Sequence, residues 1–113
     1  MSRHDPTASL RDMLDYALKA MQFCENKSQD DLEREEVLQL AVVRALELVG
    51  EAASRVPHEV RDRHPAIPWP DIVGTRNRLI RGYDRVDLRI VWDTIHDDLP
   101  PLIAILRGRL GED

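Results

Sequence analysis

Near the start of the chain the apolar residues are Leu10, Met13, Leu14, Ala17, Leu18, Met21 and Cys24. Steps of three and four lay these side chains along one stripe of a helix with 3.6 residues per turn. A strand would need alternation. A 113-residue chain that opens this way must cover the stripe with other elements of similar length. The sequence offers little for a sheet. Aromatic residues make up 4 % and there are five glycines, a poor stock for a sandwich or barrel. The 42 % apolar content comes mostly from Leu, Val, Ile, Ala and Met, which suit helix packing.

The pattern predicts the remaining elements. Asn26-Lys27-Ser28 breaks the first helix, and Ser28 with Asp31 three residues on is a capping pair for the next. A second helix is expected from Asp30 to Arg55. Its acidic first turns, Asp30 to Glu36, complement the positive helix N-terminus. Val37, Leu40, Ala41, Ala45, Leu48 and Ala52 form one apolar side, and Leu38, Val42, Leu46, Val49 and Ala53 widen it. The prolines at 57, 65, 68 and 70 mark a connector with room for one short helix at His58–His64, with Trp69 anchoring it on the core. Pro70 suits the first turn of a third helix, to Ile80, and Gly82 is its expected stop. A last helical segment, Asp87 to Leu110, is interrupted at Pro100-Pro101, where a kink or a junction of two helices is expected. Together these predict an all-α fold, an up-and-down four-helix bundle with an additional short helix, as one domain over residues 1–113.

Several function classes fall away. No run of 18 apolar residues could cross a membrane, and Met1 to Pro6 lacks the apolar core of a secretion signal. With one cysteine, Cys24, neither an internal disulfide nor a zinc cage is expected, and a cytoplasmic location follows as an expectation. His58, His64 and His96 are not spaced as metal ligands, and no glycine-rich phosphate loop is present. No metal or cofactor is therefore expected.

The chain's formal net charge is −5, yet residues 74–89 hold five arginines (Arg76, Arg78, Arg81, Arg85, Arg89) against two aspartates. Guanidinium forks match phosphate oxygens in shape and charge, so Arg76, Arg78, Arg81 and Arg85 are candidate RNA-backbone contacts. On charge alone, a solvated, salt-bridged helix face remains open, with the Asp30–Glu36 run as a neutralising partner.

The wider pattern narrows the choice. It comprises Asp12-Met13-Leu14, Gly50-Glu51-Ala52-Ala53, His64 to Trp69, Gly74-Thr75-Arg76-Asn77-Arg78-Leu79-Ile80, Gly82-Tyr83, Asp84 to Asp87, Val91-Trp92 and Asp98-Leu99-Pro100. In that order, over nearly the whole chain, these resemble the HepT-like toxin family within the HEPN superfamily of small helical ribonucleases. The resemblance implies a homodimer whose two copies of a motif R-x-x-x-x-H-x-Y line one cleft. It also implies metal-independent RNA cleavage by attack of a 2′-hydroxyl on the adjacent phosphate. The implied partner is an MntA-like nucleotidyltransferase antitoxin of a type VII-like pair, which transfers AMP to the motif tyrosine. Arg76 matches the motif arginine, Asn77 the polar residue after it, and Tyr83 the tyrosine.

Residue 81, where the motif has histidine, is Arg81. Histidine titrates near neutral pH and can take or give a proton. Arginine stays charged, so it can hold a phosphate or offset transition-state charge but cannot act as a base. The chain is therefore expected to be inactive or impaired in cleavage, and a non-catalytic module that recruits or regulates a nucleotidyltransferase is the alternative. The arginine is either a natural variant or an inactivating change selected during expression. Tyr83 reads either as a modification site or as a packing residue. Glu51 reads either as a buried partner that orients Arg76 or as a surface carboxylate.

Overall fold

A computed structural model of the chain describes residues 5–81 and 85–111. It is helical almost throughout, as the sequence predicts. The long helices are α1 (Pro6–Phe23) and α3 (Glu36–Ser54), which pack along one another. Shorter helices are α2 (Gln29–Arg34), α4 (His58–Arg61), α5 (Trp69–Val73) and α6 (Thr75–Leu79). A last continuous rod combines α7 (Leu88–Asp93), a π-helical turn (Thr94–Asp98) and α8 (Leu99–Arg109), and α8 packs on α1. Two-residue strands, β1 (Ile80–Arg81) and β2 (Arg85–Val86), pair antiparallel between α6 and α7.

The α1 stripe is buried as expected. Of that stripe, Leu10, Met13, Leu14, Ala17 and Cys24 join Val42, Leu46 and Val49 of α3 and Leu102, Ile103 and Leu106 of α8 in the core, Leu18 and Met21 pack half-buried against it, and Ala20 is buried beside them. Burial raises the Cys24 thiol above its usual pKa, which keeps it protonated and unreactive. The Ser28–Asp31 capping box is formed, with the Asp31 amide donating to Ser28 Oγ at 3.1 Å and the Ser28 amide to Asp31 Oδ2 at 2.9 Å.

Four expectations are corrected. The helix predicted from Asp30 to Arg55 breaks at Glu35, whose backbone is extended. The Gln39 amide donates to the carbonyls of Leu32 and Glu33 at the end of α2, and the Lys27 ammonium lies 2.9 Å from the Glu35 carboxylate. These contacts satisfy groups that an uninterrupted helix would have paired itself. The side of α3 that runs from Val37 to Ala52 is buried only in part: Ala45 and Ala52 join the core, whereas Val37 and Leu40 are 81 % and 66 % exposed. The short helix at His58 ends at Arg61 rather than His64.

The third helix, predicted from Pro70 to Ile80, is two five-residue pieces broken at Gly74, and it stops at Leu79 instead of Gly82. Ile80 is already extended, and the Asp87 amide donates to the Leu79 carbonyl at 2.7 Å to close the base of the hairpin. Gly82 lies outside the described residues.

At Pro100-Pro101 two helical elements meet end to end, as expected: the π-turn ends at Asp98 and α8 begins at Leu99. The prolines occupy the first turn of α8, directly after the π-turn, where the wider winding accommodates two residues without amide donors. The connector after α3 is held by Arg61. Its guanidinium donates to the carbonyls of Val56, Ala53 and Ser54 at 2.9, 3.2 and 3.3 Å, satisfying the open end of α3. Trp69 is buried, and its indole N–H donates to the Arg61 and His64 carbonyls.

Candidate functional site

The arginine-rich segment starts where α6 meets α3. Gly50 makes that contact possible. A Cβ at residue 50 would stand 2.7 Å from the Ile72 carbonyl oxygen and 3.4 Å from the Thr75 Cβ. The Thr75 hydroxyl donates to the Ile72 carbonyl at 2.5 Å and pins the start of α6 at the Gly74 break. Arg76 is thereby set on the edge of a groove of about 410 Å³, lined also by Arg44, Glu47, Glu51 and Ser54 of α3 and by Val73. Arg76 is exposed and has no ion pair or hydrogen bond among the described residues.

The groove decides between the two readings of Glu51. Its carboxylate is 55 % exposed and faces Arg44, whose guanidinium is 3.6 Å from both Glu47 and Glu51. Glu51 is thus a surface carboxylate, but one that shares its groove with Arg76. Arg44 is the residue that sequence reasoning missed. Its only signal was its place three and seven residues before Glu47 and Glu51, on the polar side of α3.

Arg76 and Arg78 line different grooves. Arg78 points away from Arg76, as residues two apart on a helix do. Its guanidinium lies 3.7 Å from Asp98 of the π-turn. Asn77 is exposed on α6. Arg85 is exposed on β2, and its Cα is the register partner of Arg81 on β1. Tyr83 lies outside the described residues.

The helix end at Leu79 matters for residue 81. Had α6 continued, residues 76 and 81 would diverge by about 140°. The chain instead leaves the helix and enters an extended strand before Arg81. The described histidines stand apart from the Arg76 groove: none of His58, His64 and His96 lines it. His96 stacks on Trp92 with ring centroids 3.9 Å apart, and its Nδ1 lies 2.9 Å from the Trp92 carbonyl oxygen. His64 is half-buried. Burial, then the charges of Arg109 and Arg63, push its pKa below 6.5, and its Nε2 has no hydrogen-bond partner among the described residues.

The family model for "Ribonuclease HepT-like" proteins matches residues 13–108, which span every element just described except the start of α1 and the end of α8. The chain belongs to the HepT-like ribonuclease family. "Putative RNase MJ1216" of Methanocaldococcus jannaschii is 33 % identical over 102 residues, covering 90 % of this chain and 84 % of that protein. "Putative RNase TTE0752" of Caldanaerobacter subterraneus subsp. tengcongensis is 43 % identical over 75 residues, or 66 % of this chain and 67 % of the relative. "Probable ribonuclease HepT" of Thermococcus cleftensis is 44 % identical over 64 residues, or 57 % and 58 % of the two chains. No solved structure matches. Among the described residues of this HepT-like chain, no helix is long and apolar enough to cross a membrane.

Proposed function

We propose that this chain is a HepT-like ribonuclease toxin scaffold in which the RNA-holding arginines are retained and the proton-transfer group is lost. The observation that carries the reading is the pairing of Arg81 at the motif position with a groove around Arg76 that no described histidine enters. Attack of a 2′-hydroxyl on the neighbouring phosphate needs one group to take the hydroxyl proton and one to give a proton to the departing 5′-oxygen. Such help is worth about 10²–10⁴-fold. Arg76, with Arg81 and Asn77, serves phosphate binding and charge stabilisation, and Arg78 and Arg85 extend the RNA contact. None of these takes the proton. Cleavage, where it occurs, needs no metal.

The active form is a homodimer, and the ridge of α3 is its seam. Val37 and Leu40 expose apolar surface on that ridge, and a groove lined by Leu40, Val43, Val86 and Leu88 adjoins it. That groove shares Arg44 and Glu47 with the Arg76 groove, so a second copy on the ridge brings two Arg76 sites to one cleft.

An MntA-like nucleotidyltransferase is the antitoxin. The Tyr83 hydroxyl attacks the α-phosphate of ATP, gives up its proton and displaces pyrophosphate, and the attached AMP repels RNA by like charge. Mass spectrometry after incubation with that partner and ATP is expected to find AMP on the Tyr83 peptide. An unmodified peptide contradicts the modification. Arg81 also favours a second reading, a non-catalytic module that recruits or regulates the nucleotidyltransferase. RNA cleavage in EDTA by the chain and by its Arg81→His form separates the two.

A further inference from the structure

A second cavity, of about 320 Å³, lies between α3, α5, the π-turn and α8, and it shares no lining residue with the Arg76 groove. Its floor is apolar, formed by Leu46, Val49, Ile72, Leu102 and Ile105. Thr75 and Thr94 also line it, but their hydroxyls already donate to the Ile72 and Ile90 carbonyls at 2.5 and 2.7 Å. The charged groups at the mouth are Asp71, Asp97, Asp98 and Arg78. Arg78 is engaged by Asp98 at 3.7 Å, whereas the exposed carboxylates of Asp71 and Asp97 have no ion pair or hydrogen bond among the described residues. The mouth therefore carries three negative charges against one positive, and its uncommitted groups only accept hydrogen bonds.

Those properties select an occupant. An apolar cavity of about 150 Å³ is enough to bind benzene, so this one holds one or two apolar side chains and falls at the small end for a larger organic ligand. The acidic mouth repels nucleotides and RNA and attracts lysine or arginine. We propose that this cavity is the docking site for a basic, apolar-anchored peptide segment of a protein partner. An apolar side chain fills the floor, and a neighbouring lysine or arginine pairs with Asp71 and Asp97. The site is separate from the arginine groove and does not rest on its catalytic state.

The test uses fluorescence anisotropy of a labelled amphipathic peptide of leucine and lysine, titrated with the full chain. Saturable binding is expected. It should weaken by about tenfold or more in Asp71→Asn/Asp97→Asn, and likewise in Ile105→Trp, which fills the cavity. A charge-matched Asp15→Asn/Glu25→Gln form, altered on the exposed side of α1 and just beyond it, should bind as the parent does. A leucine–glutamate peptide should not bind. The proposal is overturned by absence of saturable binding, by equal losses in both double variants, by unchanged binding in Ile105→Trp, or by equal binding of the glutamate peptide.

Discussion

Gly50 is where α3 comes nearest to the segment that carries Arg76. Its missing side chain lets the Ile72 carbonyl approach within 2.7 Å of where a Cβ would stand. That neighbour is backbone, so it cannot swing aside as a side chain would. The Gly50→Ala form is expected to lose about 1–3 kcal/mol of stability, the usual cost of overpacking a well-filled contact. Denaturant unfolding measures it, and a midpoint unchanged from the parent would contradict the close approach. Arg81 and Glu51 make another point at this scale. Arg81 differs from the family motif in one side chain, and its chemical consequence can be stated from pKa values alone. The setting of Glu51 could not be stated in advance, because position on a helix does not tell which neighbour a carboxylate meets.

At the scale of elements, legibility followed the strength of the local signal. The α1 stripe and the Ser28–Asp31 capping box were readable because periodicity and capping are local. The break at Glu35 was not, since it depends on Gln39 folding back onto the Leu32 and Glu33 carbonyls. The split of α5 from α6 at Gly74, and the hairpin of β1 and β2, depend on contacts with α3 and α7 that the sequence does not display. The two prolines announced an irregularity before α8 but not that a π-turn would absorb it. Of the candidate site, the order and spacing of Arg76, Asn77 and Arg81 can be read directly from the sequence. The division of Arg76 and Arg78 between two grooves cannot, nor can the presence of Arg44 beside Arg76, because each depends on how α6 lies between α3 and the π-turn.

At the scale of the whole molecule, the ridge of α3 is the seam we propose for a homodimer. Val37 and Leu40 are 81 % and 66 % exposed on a helix whose other face is fully packed. Covering a side chain of this size is worth about 1.5–3 kcal/mol, and a two-fold seam covers both residues twice. Arg44, Glu47 and Glu51 follow along the same ridge, so a second copy meets charges of both signs. Light scattering is expected to find a dimer for the parent chain and a monomer of unchanged helicity for Val37→Asp/Leu40→Asp. A monomeric parent would contradict the homodimer, and a variant that stays dimeric would move the seam elsewhere.

The central claim is that a ribonuclease scaffold of the HepT-like family is silenced at one position. The direct measurement is the rate of cleavage of a mixed RNA pool in EDTA by the chain, by Arg81→His and by Arg81→His with Arg76→Ala. The account predicts a gain of about 10²–10⁴-fold for the histidine form, abolished when Arg76 is also removed. A histidine form that cuts no faster than the parent while keeping its fold would contradict it and favour the binding-module reading.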